Sequence, residues 1–110
     1  MNRAKEQPEW VIGNVLAICR GYNRRSSYIA KHKNISAPEY KVYVRYNSAI
    51  DNAIEAVCEG ANEAAAIRLA LVEGVTWERI TACACGRRRF YELRRSAIER
   101  IARELCILEN

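Results

Sequence analysis

The chain has 110 residues, of which 50% are hydrophobic and 28% charged, and its formal net charge is +5. This length suits one compact domain, and the balance of apolar and charged residues is typical of folded rather than disordered proteins. We find no apolar run near the roughly 18–20 residues that cross a bilayer and no apolar secretory signal in residues 1–9. With Gly and Pro scarce, we expect an all-α fold, no membrane partner and a cytoplasmic location.

Five cysteines without a signal peptide fit a reducing cytoplasm. Cys83 and Cys85 have spacing that could ligate a metal, but His32 is the sole histidine and no second close pair completes a tetrahedral set. We therefore predict no metal site and no cofactor.

Positive charge is concentrated at both ends of the chain. Residues 1–37 contain seven Lys and Arg against two acidic residues, residues 38–75 contain three against six, and residues 76–110 contain eight against five. Such asymmetry indicates that particular surfaces, rather than the whole protein, face a polyanion.

The first predicted helix begins at Pro8, which suits a first turn because its missing N–H costs nothing there. It ends near Tyr22 at the break offered by Gly21, or it continues to about Lys33, because Ile29 prolongs the same apolar face. The sequence leaves both alternatives open. The residues of that face recur at helical spacing: Val11, Val15, Ile18 and Tyr22.

A second helix is predicted over residues 38–59. Ser36 can cap it, Pro38 suits its first turn and Glu39 completes a capping box, while Gly60 ends it. Its apolar positions are Tyr43, Tyr46, Ile50, Ile54 and Val57.

The C-terminal half is predicted to contain three further helices. Asn62 caps a helix that ends at Gly74, and Thr76 caps a short one through Trp77 and Ile80. After a turn of small residues over 83–86, a long helix runs from about 87 to 108. Its apolar face consists of Phe90, Leu93, Ala97, Ile101 and Leu105. The predicted organisation is an N-terminal helical segment, 1–60, and a helix-turn-helix region, 61–110.

The long helix carries the candidate DNA-binding residues. A helix-turn-helix places the start of its last helix in the major groove, where arginine matches phosphate oxygens and the O6/N7 edge of guanine. Five arginines lie in nine positions and are opposed there only by Glu92, while Tyr91 can stack or donate to phosphate. The predicted DNA-binding set is Arg87, Arg88, Arg89, Tyr91, Arg94, Arg95, Thr76 and Arg79.

A second basic cluster occurs in the N-terminal segment. It could contact phosphate or RNA polymerase, or could be solvated surface, and the sequence does not separate these alternatives. Its members are Arg24, Arg25, Lys31 and Lys33.

The stretch Glu73–Ile80, with Thr76 and Trp77, followed by the stretch Arg89–Ile98, with Phe90 and Tyr91, resembles region four of bacterial sigma factors. It is more similar still to the sigma-like late-gene regulators of bacteriophages and prophages, the ArpU and RinA type. The resemblance covers about 35 residues. It implies a C-terminal sigma region-four-like helix-turn-helix, promoter-proximal binding of double-stranded DNA and activation of transcription, with RNA polymerase as a further partner.

The sequence is also compatible with two other classes of function. One is an antitermination-type factor directed to RNA polymerase or RNA, and the other is a helical interaction or inhibitor module that binds an acidic protein. Because the sequence has no Gly-rich phosphate loop, Cys/His dyad or clustered carboxylate pair, we predict that the chain is not an enzyme. Leu105, Ile107 and Leu108, with the apolar face of residues 40–57, could form a homodimer surface or close the domain.

Overall fold

A computed structural model describes residues 7–32, 36–80 and 85–107. In these ranges the chain is all-α: five α-helices and one 3-10 turn, with no strand. The elements are α1 (Glu9–Arg20), α2 (Tyr22–Lys31), α3 (Pro38–Val57), α4 (Ala61–Glu73), the 3-10 turn (Trp77–Arg79) and α5 (Arg87–Glu104). No helix within the described ranges is both long enough and apolar enough to cross a membrane.

The N-terminal segment forms two helices rather than one. The break is at Gly21, whose φ of −87° and ψ of 3° depart from helical values, and its N–H donates to the carbonyl of Ile18 at 3.2 Å. The alternative of a single helix up to Lys33 is therefore wrong, and Lys33 itself lies outside the described residues.

The starts of α3 and α4 and the extent of the short helix after Thr76 differ from the prediction. The N-cap of α3 is Ala37 instead of Ser36, with Pro38 at the first helical position as predicted. The N-cap of α4 is Gly60 instead of Asn62. The short helix predicted after Thr76 is a single 3-10 turn, with Thr76 at its N-cap position but without a side-chain capping bond.

The core lies where α5 packs against α1, α3 and α4. All five predicted apolar positions of α5 are buried, which confirms its orientation. Leu105 belongs to the same core and Ile107 packs against it, whereas Leu108 falls outside the described residues. The end of α5 at Glu104 comes before the predicted 108. The largest fully buried side chains include Phe90, Ile50, Ile67, Leu71 and Ile101.

A buried polar network joins α1, α2 and α3. Arg25 is only 6% exposed; its Nε donates to Asn47 Oδ1 at 2.7 Å, and its Nη2 donates to the carbonyl of Ile18. The guanidinium also lies 5.4 Å from the ring centre of Tyr46. Arg25 therefore stabilises the packing of α2 on its neighbours, whereas Arg24 and Lys31 of the same cluster are exposed.

Candidate nucleic-acid interface

The N-terminal half of α5 is held to the domain by two buried side chains. Phe90 is 1% and Leu93 5% exposed, and Phe90 lies 5.3 Å from Trp77, centroid to centroid. The N-cap is Gly86, which has no side chain to accept from the amide groups of the first turn. The start of α5 is thus a fixed helix end with its arginines around it.

Arg89 faces away from the other arginines. Its Nε donates to Glu63 Oε2 at 3.0 Å and its Nη2 to Oε1 at 3.3 Å, while Glu59 Oε2 lies 3.7 Å from Nη2. The hydrogen bond from Arg89 holds the pKa of Glu63 below its ordinary value. This two-bond pair joins the start of α5 to the start of α4, so Arg89 has a structural partner that the local sequence pattern does not reveal.

Arg87 and Arg88 make long, exposed ion pairs. Arg87 Nη2 lies 3.5 Å from Glu78 Oε2, and its guanidinium lies 5.6 Å from the centre of the Tyr91 ring. Arg88, whose side chain is 92% exposed, has Nε 3.5 Å from Glu92 Oε2. The prediction that Glu92 alone opposes these arginines is therefore wrong. Exposed pairs of this kind contribute at most about 1 kcal/mol and are readily exchanged for another anion.

Arg94 and Arg95 have no ion pair with any described residue. They follow Tyr91 by one helical turn, so the three side chains lie on one side of α5. Tyr91 is 39% exposed. We call Arg87, Arg88, Tyr91, Arg94 and Arg95 the α5 surface.

Two shallow clefts flank the α5 surface. One, of about 310 Å³, lies between the ends of α1 and α4, the 3-10 turn and α5, and it is lined in part by Arg20, Thr76, Tyr91 and Arg94. The other, of about 260 Å³, is lined by Gln7, Ile12, Tyr91, Arg94, Arg95 and Ile98. Tyr91 and Arg94 border both, so a ligand crossing the surface would meet these side chains from either side.

The other residues predicted to bind DNA or phosphate lie in different parts of the structure. Thr76 is exposed and lines the larger cleft, next to the α5 surface. Arg79 is exposed at the end of the 3-10 turn, and its side chain forms no ion pair with a described residue. On α2, Arg24 and Lys31 are exposed.

Sequence reasoning missed Arg20. It is the last residue of α1, its Nε donates to the carbonyl of Leu71 at 3.2 Å, and it lies against Gly74 at the end of α4. Its guanidinium thus borders the larger cleft opposite Arg94. Nothing in the local pattern marks this position, because its partners are about 50 residues away in the chain.

Within the described ranges, no group of three or more His, Cys, Asp or Glu side chains could hold a metal ion. The free cysteines there are Cys19, Cys58 and Cys106. No protein-family model matches the chain, and no curated protein or solved structure matches it either.

Proposed function

We propose that the chain is a sequence-specific DNA-binding transcription regulator whose α5 surface enters the major groove. The observation that carries the proposal is the pair Arg94 and Arg95: two cations beside an exposed tyrosine, on a helix fixed by buried side chains, with no acidic partner among the described residues. In this proposal α4, the 3-10 turn and α5 act as the helix-turn-helix. The resemblance to phage and prophage late-gene regulators suggests that it acts near promoters.

The chemistry of the α5 surface suits a duplex. Guanidinium groups donate two parallel bonds to phosphate or to guanine, and one good base contact is worth about 1–3 kcal/mol of discrimination. The amide groups and dipole at the start of α5 favour an anion at the same end. Four arginines against Glu78 and Glu92 leave a net charge of +2 on this end of the helix.

The C-terminal half of α5 is less suited to this role. Arg103 Nη2 lies 2.8 Å from Glu99 Oε2, and Arg100 borders a groove between α3 and α5. The N-terminal half is therefore the part of α5 that is free to enter a groove.

Selection of bound sequences from a random duplex pool tests the class of function. An enriched motif supports sequence-specific recognition. Binding without enrichment, or binding of single-stranded RNA alone, supports the antitermination-type alternative, and no binding of nucleic acid supports an interaction module.

The matched pair R94Q/R95Q and K41Q/R100Q then tests the surface. Each double variant removes two exposed or partly exposed cations, so both change the net charge equally. We expect R94Q/R95Q alone to lose affinity for the selected duplex and to lower the slope of log K against log salt by about 0.9 for each lost phosphate contact. Equal effects of the two variants would contradict the assignment of the α5 surface.

A further inference from the structure

Helix α2 has an exposed basic face whose two cations form no ion pair with a residue of the described ranges. The helix contains Arg24, Arg25 and Lys31 and no acidic residue. Arg25 points into the domain, where Asn47 and a backbone carbonyl accept its donors. Neither Arg24 nor Lys31 makes an ion pair with any residue that the structure describes.

Arg24 and Lys31 lie on the same side of α2. They are seven residues apart, which is close to two full turns, so their side chains are separated by about 10 Å along the helix axis. Ser27 lies between them on this side and is also exposed. The adjacent strip carries Asn23 and Ala30, which are exposed as well. The face therefore presents two cations with polar or small residues around them.

This face begins next to the cleft that borders the α5 surface. Arg20, which lines that cleft with Arg94, is two residues before the start of α2. Asn23 Nδ2, in the first turn of α2, lies 3.4 Å from Oε2 of Glu73, the last residue of α4. Basic side chains thus occur on α5, at the end of α1 and on α2, and the first turn of α2 contacts the end of α4 through Asn23 and Glu73.

The composition of the face indicates the kind of partner. A protein interface needs an apolar centre, with aromatic or large aliphatic side chains. The α2 face has none at its exposed positions, and its two cations are spaced along an axis, as suits a regular row of negative charges. The molecule is 44 Å long, which exceeds the roughly 34 Å of one turn of a DNA duplex. A duplex laid along this dimension would therefore present more than one turn of phosphates to the protein.

From these observations we infer that the outward face of α2, with Arg24 and Lys31, is a second phosphate-binding surface that contacts the DNA backbone beside the segment bound by α5. The inference rests on the proposed function. It assigns to α2 a contact that adds affinity without adding sequence specificity, because phosphates are the same at every base pair.

The test compares R24Q/K31Q with K41Q/R100Q on the full chain, after circular dichroism has shown that both are folded. The probe is a mixed-sequence duplex of about three helical turns, and binding is measured by fluorescence anisotropy from about 50 to 200 mM salt. We expect R24Q/K31Q to lower the salt slope by about 1.8, two phosphate contacts at about 0.9 each, and K41Q/R100Q to leave it unchanged.

Shortening the duplex gives a second, independent readout. A duplex of about one turn should lower the salt slope of the unaltered protein to that of R24Q/K31Q. It should change the salt slope of R24Q/K31Q little, because this variant has already lost the contact that the shorter duplex removes. If R24Q/K31Q keeps the original slope, or changes no more than K41Q/R100Q, the inference is overturned. In that case R94Q/R95Q still reports on the α5 surface, whereas absence of any duplex binding by the unaltered protein overturns both.

Discussion

Replacing Asn47 by leucine should be among the most destabilising single changes in this domain. Asn47 is 6% exposed. Its Oδ1 accepts from Arg25 Nε at 2.7 Å, and its Nδ2 donates to the carbonyl of Tyr22 at 3.2 Å and to Ser26 Oγ at 3.1 Å. Leucine has a similar size and none of these groups, so the substitution leaves a buried guanidinium without its side-chain acceptor.

The expected loss follows from the bonds removed. A hydrogen bond to a charged group contributes about 1.5–3 kcal/mol and each neutral one about 1 kcal/mol. One charged and two neutral bonds therefore add up to about 3.5–5 kcal/mol. Because a domain of this size has a free energy of unfolding of about 5–15 kcal/mol, the variant should keep only part of its stability.

Urea unfolding followed by circular dichroism measures this loss. The matched control is Asn52→Leu on the same helix, where the side chain is exposed and the change should stay within about 0.5 kcal/mol. A further variant, R25M/N47L, removes both partners of the charged hydrogen bond. Its loss in free energy of unfolding should be smaller than the sum of the losses in R25M and N47L, by about 1.5–3 kcal/mol. If N47L and N52L unfold at the same urea concentration, the reasoning about this network is refuted.

Three further predictions concern single residues. Burial raises the pKa of the Cys19 thiol to about 11, so iodoacetamide at mildly alkaline pH should modify the exposed Cys106 well before Cys19, as read by peptide mass spectrometry; equal rates would contradict the placement of Cys19. Gly74 has a left-handed φ of 71°, so G74A should lower the free energy of unfolding by about 1 kcal/mol or more, whereas G13A, at an exposed helical position, should raise it. The hydrogen bond from Arg89 lowers the pKa of Glu63, so the charged form of Glu63 stabilises the fold at neutral pH, and this contribution is lost as the pH falls through that lowered pKa. The difference in urea midpoint between the unaltered protein and E63Q should therefore shrink from neutral pH to about pH 3. A difference that stays constant with pH would argue against the pair of Arg89 and Glu63.

The helices and the face of α5 could be predicted because local periodicity determines them. Phe90, Leu93 and their successors recur every three to four residues over four turns, and all are buried. The end of α4 at Gly74 was equally predictable, since a glycine with positive φ is a common helix end. The element after Thr76 is a 3-10 turn and not the predicted short helix, because three or four residues carry too little periodic signal to separate an α-helix from a 3-10 turn.

The partners of the arginines could not be predicted from local pattern. Arg24 and Arg25 are adjacent and chemically identical, yet one is exposed and the other buried against Asn47, 22 residues away. Likewise, Arg89 differs from Arg88 only in pointing towards Glu63, 26 residues earlier in the chain. Which arginine of a basic run pairs with another part of the chain depends on how the helices pack against one another. That packing is a property of the whole fold and cannot be predicted from neighbouring residues.

Arg89 should fix the start of α5 without taking part in DNA binding. Because Arg89 donates two bonds to Glu63, it orients the start of α5 and should neutralise no phosphate. R89Q should therefore leave the slope of log K against log salt unchanged, while R94Q, which removes one cation from the same helix, should lower it by about 0.9. Both can be measured on the duplex selected from the random pool. A folded R89Q variant whose slope falls as far as that of R94Q would mean that the pair with Glu63 opens on binding, and that Arg89 belongs to the DNA-binding surface after all.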